Sequence, residues 1–444
     1  MNLIFVILLM LNSFILNKLV LMSFMSLSLM ILMFLMMLKI SYSMNWMLIY
    51  SWMGGDFISV SLMILSIWII SLMFLISLKF KNKNFYSFIL LLLLLSLCLS
   101  FMSMNYFMFY LWFEISLFPT FLLIMGWGYQ PERLNASMFM LMYTLFASLP
   151  LMFIIFWLFS YFNSLNYMIL LNKMINIKFN QFLFFWFMLF AFLVKLPIFM
   201  FHMWLPKAHV EAPVTGSMIL AAIMLKLGGY GVMRSMMMMM NYSIQYNYKL
   251  MVISLIGMMN LSLMCLRQYD LKILVAYSSV VHMGMMLLGI LSLSYWGFYG
   301  GLLMMLAHGL CSSALFMLVN LFYYRSKSRN MFLNKGMISI FPSLVMWWFM
   351  FCACNMSSPI SLNLLSEIMI VNITLNWSIN MIGILIMGMY FSAMYSLFLF
   401  SFISHGNFIN KLKIKNNINI YEFLNLLLHW IPLNFLVLKM ELFN

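Results

Sequence analysis

Charge is what this 444-residue chain has least of: Asp, Glu, Lys and Arg make up 7% of it, and only 8 residues are acidic. With 66% hydrophobic residues beside so little charge, a water-soluble globule could not cover its apolar side chains, so the bilayer must be the main solvent. Cysteine is also scarce. The five (Cys98, Cys265, Cys311, Cys352, Cys354) form no CxxC pair and lie in or beside apolar runs, which excludes a structural zinc, an iron–sulfur cluster and a disulfide framework. Neither a G-x-G-x-x-G turn after a strand nor a Walker A loop is present, so nicotinamide, flavin and nucleotide sites are not expected here. The N-terminus enters MNLIFVILLML directly, with no Arg-rich amphipathic leader and no cleavage signal, so import from outside is not expected.

What is abundant fits a polytopic, all-α membrane protein. Mean hydropathy is +1.07, and a helix crosses the hydrocarbon core with roughly 20 apolar residues. Apolar runs separated by short breaks predict about fourteen crossings. Among them are helices over 3–16, 20–38, 57–78, 105–126, 182–200, 213–240, 271–292, 296–324 and 421–438, with a break near Pro359. The 55 methionines, the excess of Lys over Arg and the scarcity of Ala and Val are what an A+T-rich gene gives when AUA is read as Met, as in mitochondrial codes. Such methionines substitute for Ile or Leu and require no metal or partner groove.

The net charge of +15 does not suggest nucleic acid, because the basic residues are spread between apolar runs as topology determinants. With fourteen spans, the loops after even-numbered helices carry Lys39, Lys173, Lys178, Arg234 and Lys249, against fifteen cations, Lys272 and Arg325 among them, in the loops after odd-numbered ones. That asymmetry predicts both termini on the outer side of the membrane. HGNFINKLKIKNNINIYE, from His405 to Glu422, reads as a solvated loop.

Four charges fall inside apolar runs. Glu114 sits in YLWFEISLFPT ahead of Pro119, Lys195 in FLVKLPIFMFHMWLP ahead of Pro197, Lys226 in MILAAIMLKLGGYGVM, and Glu367 in SSPISLNLLSEIMI after Pro359. A charge at mid-membrane costs about 2.5 to 3.5 kcal/mol on insertion scales, so something must offset it. Each residue alone could be a hydrogen-bonded structural group or a snorkelling lysine. Their recurrence beside helix breakers is how transporters build mid-membrane ion sites, and it predicts a proton path. His202, His209, His282 and His308 add groups that titrate near neutral pH and are candidate relays; for His282 and His308 packing is an equal alternative. A metal site at His202 and His209 is not expected, since only Glu211 could serve as a third ligand. Asp270 and the pair Pro131–Glu132 read as helix starts.

The run KLPIFMFHMWLPKAHVEAPVTGSMILAAIMLKLGGYG, from Lys195 to Gly231, resembles the antiporter-like membrane subunits of respiratory complex I, and among them the chain 4 family. FEISLFPTFLLIMGWGYQPERLNAS, QYDLKILVAYSSVVHMG, AHGLCSSALFML and NLLSE are similar to further blocks of that family in the same order, over about residues 105 to 370. The resemblance implies two inverted five-helix repeats, over 85–240 and 250–403, and a central charged axis at Glu114, Lys195, Lys226 and Glu367. An acid at the last position, and no long lateral helix after the bundle, fit chain 4 better than its paralogues. The resemblance further implies the inner mitochondrial membrane, neighbouring antiporter-like chains and lipids as partners, and NADH, FMN, iron–sulfur clusters and ubiquinone held by other subunits. A departure stands at YYRSKSR, Tyr323 to Arg329, where relatives often carry an acid before the first Arg; this leaves an ion pair there in doubt. Two alternatives stay open on sequence alone: a stand-alone cation/proton antiporter, and a membrane-arm scaffold whose charges serve assembly only.

Overall fold

The computed structural model describes Ile7 and residues 18–38, 47–50, 52–77, 82–172, 180–407 and 418–442. The helix expected at 3–16, apart from Ile7, lies outside them, as do Lys39, Lys79, Lys81, Lys173, Lys178, Lys411, Lys413 and Lys415. Two compact units emerge: Met1–Lys195 with Glu211–Tyr246, and Leu196–Val210 with Asn247–Asn444.

The first unit holds α1 (Lys18–Leu38), a short hairpin of β1 (Met47–Tyr50) and β2 (Met53–Gly55), α2 (Phe57–Ile76) and α3 (Lys83–Met102). The hairpin was not expected from the apolar runs. It ends directly at Asp56, the N-cap of α2, whose carboxylate accepts from the Ser59 N–H at 3.1 Å while Ser59 Oγ accepts from the Asp56 N–H at 2.9 Å. This reciprocal capping box satisfies donors that a helix start would otherwise leave buried and unpaired. After it come α4 (Tyr106–Ile115) and α5 (Leu117–Trp127), so the single helix expected over 105–126 is interrupted at Ser116, two residues beyond Glu114. Pro119 has no N–H to offer the Ile115 carbonyl one turn earlier, which loosens the ladder at that point. Then follow α6 (Arg133–Phe162), α7 (Tyr167–Asn172) and α8 (Gln181–Lys195). Phe146 and Phe153, 73% and 74% exposed and two turns apart on α6, present a face whose natural solvent is lipid.

In the same unit α10 (Val214–Ile219), a π-helical turn (Leu220–Met224) and α11 (Leu225–Met238) form a continuous rod, buried throughout except at Met237, packed on α8. Gly231 allows that packing: a Cβ there would stand 2.3 Å from the Phe192 ring. The local distortion beside Lys226 lies just before it, in the π turn.

Between the units in sequence, the helix expected over 182–200 stops at Lys195. The chain runs without regular helix through Pro197 and the left-handed Met200 (φ 84°) to α9 (Trp204–Glu211). After α12 (Met240–Cys265), the second unit continues with α13 (Leu271–Leu291), α14 (Tyr295–Ser326), α15 (Pro342–Asn355), α16 (Leu362–Trp377), α17 (Ile382–Ser404) and α18 (Ile420–Phe435). α13, α14 and α16 pack on one another, with α14 buried along most of its length and exposed at Tyr295 and Trp296 in its first turn. The break expected near Pro359 spans the residues between α15 and α16, where Ser357 and Ile360 take positive φ of 61° and 70°.

Ten helices among the described residues are long and apolar enough to cross a membrane, and Met22–Met37 and Gln181–Lys195 are shorter apolar helices. The architecture is therefore all-α and polytopic, and among the described residues the helices of crossing length number ten where about fourteen crossings were expected. Three cations assigned to loops are instead buried in helices: Arg234 in α11, Lys272 in the first turn of α13 and Arg325 near the end of α14. Each has a partner on another element of its own unit, which is why it can leave water. Glu422, at the end of the stretch read as a solvated loop, is likewise buried, in the first turn of α18. Asp270 does occupy the N-cap of α13, though without a side-chain capping bond, and Glu132 precedes the first residue of α6.

Candidate functional site

Each of the four expected charges lies at or near an interruption of its helix. In the first unit Glu114 is the next-to-last residue of α4, Lys195 the last of α8, and Lys226 the second of α11, directly after the π turn. Interruptions leave backbone carbonyls without helical donors, and an ammonium can take them as partners. Both lysines do so. Lys195 is 1% exposed, donates to the Phe113 carbonyl at 3.1 Å and lies 3.2 Å from the centroid of the Phe113 ring. Lys226, with no exposure at all, donates to the Ala221 carbonyl inside the π turn.

Glu114 is arranged differently. Both carboxylate oxygens are buried and neither makes a hydrogen bond of ordinary length, although the Ser148 hydroxyl is close enough to interact with the carboxylate. The ammonium of Lys195 interacts with this carboxylate electrostatically without forming a direct ion pair. Glu114 and Lys195 are thus brought together without closing into an ion pair. A buried carboxylate without an ion-pair partner is costly, so this group must bind a proton, be hydrated, or draw the ammonium in.

In the second unit Glu367 lies in the second turn of α16, 6% exposed, with Oε1 3.8 Å from His282 Nδ1 on α13. The other ring nitrogen, Nε2, meets Tyr395 Oη on α17 at 3.4 Å. The ring of His308 on α14 is 5.6 Å from that of His282. Four titratable groups from four helices therefore share one buried cluster, and two of the four histidines expected as relays, His282 and His308, belong to it. Tyr395 was not anticipated; in sequence it is one tyrosine among many in an apolar run.

His202 and His209 are buried elsewhere in this unit. The ring of His202 stacks on Phe199 at 5.8 Å and meets Tyr277 edge-on at 6.1 Å. His209 stacks on Phe316 at 4.6 Å with the rings 3° from parallel. Neither ring is in the His282–Glu367 cluster. Among the described residues no three His, Cys, Asp or Glu side chains are grouped to hold a metal.

Two buried ion pairs escaped the reading of the sequence. Arg234 Nη2 contacts Asp56 Oδ1 at 2.5 Å, with the guanidinium 4.7 Å from the Tyr230 ring. This ties the last turns of α11 to the capped start of α2. Arg325 Nη2 contacts Glu422 Oε2 at 2.6 Å, so the first Arg of YYRSKSR has an acid partner from α18 in place of a neighbour in sequence. The partners are 178 and 97 residues apart, and nothing in either local pattern announces them.

Comparison with known proteins places these features in a family. Residues 1–103 match the family described as NADH-ubiquinone oxidoreductase chain 4, amino terminus. Residues 103–394 match NADH:quinone oxidoreductase/Mrp antiporter, TM. Among similar proteins, NADH-ubiquinone oxidoreductase chain 4 of Ceratitis capitata is 49% identical over 394 residues, covering 88% of this chain and 87% of that protein. The Locusta migratoria protein of the same name is 47% identical, covering 91% and 90%, and that of Danio rerio is 40% identical over the same shares. A chain of respiratory complex I from Thermus thermophilus shares the fold, with a TM-score of 0.87 over 99% of this chain and 97% of that one at 20% identity. The chain belongs to the NADH-ubiquinone oxidoreductase chain 4 family.

Proposed function

We propose that this chain carries protons across the inner mitochondrial membrane through the titratable groups buried beside its helix interruptions, driven by electron transfer from NADH to ubiquinone in other subunits. The chain is an antiporter-like, multi-pass membrane subunit of NADH-ubiquinone oxidoreductase, and the animal relatives give it a mitochondrial location. NADH, FMN, iron–sulfur clusters and ubiquinone belong, on this reading, to the other subunits. The immediate neighbours are other antiporter-like chains and lipids, both termini face the intermembrane space, and 85–240 and 250–403 are inverted repeats.

The observation that carries the proposal is the open Glu114–Lys195 couple: a buried carboxylate not paired to the ammonium beside it, which is held instead by the neighbouring Phe113 carbonyl. Closing such a pair at about 4 Å and an effective dielectric near 20 is worth about 4 kcal/mol. Moving one charge through 100 mV takes about 2.3 kcal/mol. The two magnitudes are comparable, so a swing of the Lys195 head between Phe113 O and the Glu114 carboxylate is large enough to load or release one proton against the membrane potential. When the pair closes, the carboxylate favours the charged ammonium; when it opens, burial favours the neutral amine and the proton leaves. Lys226 is next in the proposed order. His308, His282 and Glu367 supply the second set of carriers, with Tyr395 positioning His282 through Nε2, and His202 and His209 are candidate relays toward them.

The test is the assembled complex carrying Lys226→Met, a side chain of similar length without a proton. Protons translocated per NADH should fall while the complex still assembles. An unchanged ratio would remove the path.

A further inference from the structure

α18 packs lengthwise against α14 in the second unit, antiparallel to it. At one end Glu422 pairs with Arg325; at the other Leu436 and Val437, just past α18, pack beside Leu303 and Ala307. Between these anchors α18 turns a polar stripe inward. Glu422, Asn425 and His429 follow one another at spacings of three and four, which aligns them on one helix face. Asn425 and His429 have no exposed surface.

That stripe is under-satisfied by protein. Nδ1 of His429 lies 2.8 Å from the Asn425 carbonyl, one turn back, so it carries the hydrogen and donates. Its Nε2 is then a lone-pair acceptor, and it has no partner. Neither the amide nitrogen nor the amide oxygen of Asn425 has one either. Buried polar atoms in native proteins are nearly always hydrogen-bonded, and those without a protein partner are met by ordered water. Three such atoms on adjacent turns of one face describe a wet seam in an otherwise apolar helix pair.

Position gives the seam a use. His429 stands seven residues from Glu422 and seven from Leu436, so by the antiparallel anchoring it lies opposite the middle of the α14 stretch between Arg325 and Ala307. His308, which belongs to the His282–Glu367 cluster, is next to Ala307 on that stretch. A histidine with one nitrogen donating and the other free to accept can take a proton on one side and give it up on the other.

We infer that the inner face of α18 is a water-filled proton lead, with His429 as its carrier, joining the Arg325–Glu422 end of α14 to the His308–His282–Glu367 cluster. Water is the ligand Asn425 and His429 hold. The inference rests on the proton-carrying function proposed above, and it assigns to α18 a role that none of the four central charges requires.

The experiment uses assembled complex with His429→Gln, His429→Leu and Lys226→Met in parallel, scoring protons per NADH and the amount of complex. Glutamine can still hydrogen-bond water but cannot carry a proton, so both His429 variants should lower the ratio, the glutamine one at normal complex abundance. A drop with leucine alone means the histidine serves packing, and overturns the inference. A normal ratio in both His429 variants beside a lowered one in Lys226→Met also overturns it while leaving the main path standing. A normal ratio in all three ends the broader reading as well. Should His429→Leu fail to assemble, Asn425→Leu takes its place, with a ratio lowered at least twofold as the expected result and an unchanged one as the contradiction.

Discussion

Lys195 gives its ammonium to the main-chain carbonyl of Phe113, 3.1 Å away, and not to the carboxylate of Glu114, the very next residue. A lysine that reaches a carbonyl beside an acid has two resting places on neighbouring atoms of one helix end, and α4 stops there because the chain breaks at Ser116. Removing the second place should therefore matter for coupling more than for folding. Glu114→Gln is expected to leave Lys195 on Phe113, to keep assembly near normal and to lower protons translocated per NADH. Pumping assays on vesicles containing the complex check this, and a normal ratio would show that the carboxylate is not the alternative partner.

Asp56 and Arg234 make a contrasting pair, closed, buried and capped. Breaking a buried ion pair by removing one member costs about 3 to 5 kcal/mol, because the other charge is left in apolar surroundings. Asp56→Ala should sharply reduce assembled complex and lower its thermal inactivation temperature. Asp56→Ala with Arg234→Met removes both charges and should recover part of the loss. Complex abundance on native gels reads both, and a double variant no better than the single would mean the capping bond to Ser59, rather than the unpaired guanidinium, is what matters.

Gly231 lies where α11 touches the Phe192 ring of α8, and a Cβ would approach that ring to 2.3 Å. Overpacking of this kind costs typically about 1 to 3 kcal/mol. Gly231→Ala should lower complex abundance, and Phe192→Leu in the same chain should restore much of it. Absence of rescue would place the strain elsewhere.

In the second unit, His282 bridges Glu367 and Tyr395 with its two ring nitrogens. His282→Leu cuts the cluster at its middle, whereas Tyr395→Phe removes one terminal hydroxyl. The ratio of protons to NADH should fall clearly in the first and by less in the second. Equal effects would mean that Tyr395 is itself a carrier.

How much of this could be read from the residues follows the range of the forces involved. The interruptions at Lys195 and near Pro359 are local consequences of proline beside a charge, and they stand where Pro197 and Pro359 led one to look. Glu114 and Lys195 come together, as do His282 and Glu367, because a charge in hydrocarbon must find company wherever the fold allows. The choice of company is not local. Arg234 and Lys272 read as ordinary loop cations because their sequence neighbours do not reveal that Asp56 and the Val210 carbonyl meet them. The π turn before Lys226 is hidden in LAAIM, whose composition is that of any helix. The β1–β2 hairpin leaves little trace in an apolar run, and the buried face of α18 emerges only once Arg325 shows which side of that helix is inward.

A path is a series, and a series has a signature that a scaffold lacks: once one carrier is gone, losing a second on the same route changes little. The most direct measurement is the number of protons moved per NADH by purified complex in sealed vesicles carrying Lys195→Met, Lys226→Met or both, each normalised to assembled complex. The predicted result is that either substitution lowers the ratio by the same amount and the double variant goes no lower. A full wild-type ratio in the double variant, with complex intact, would contradict the claim that protons travel through these two lysines.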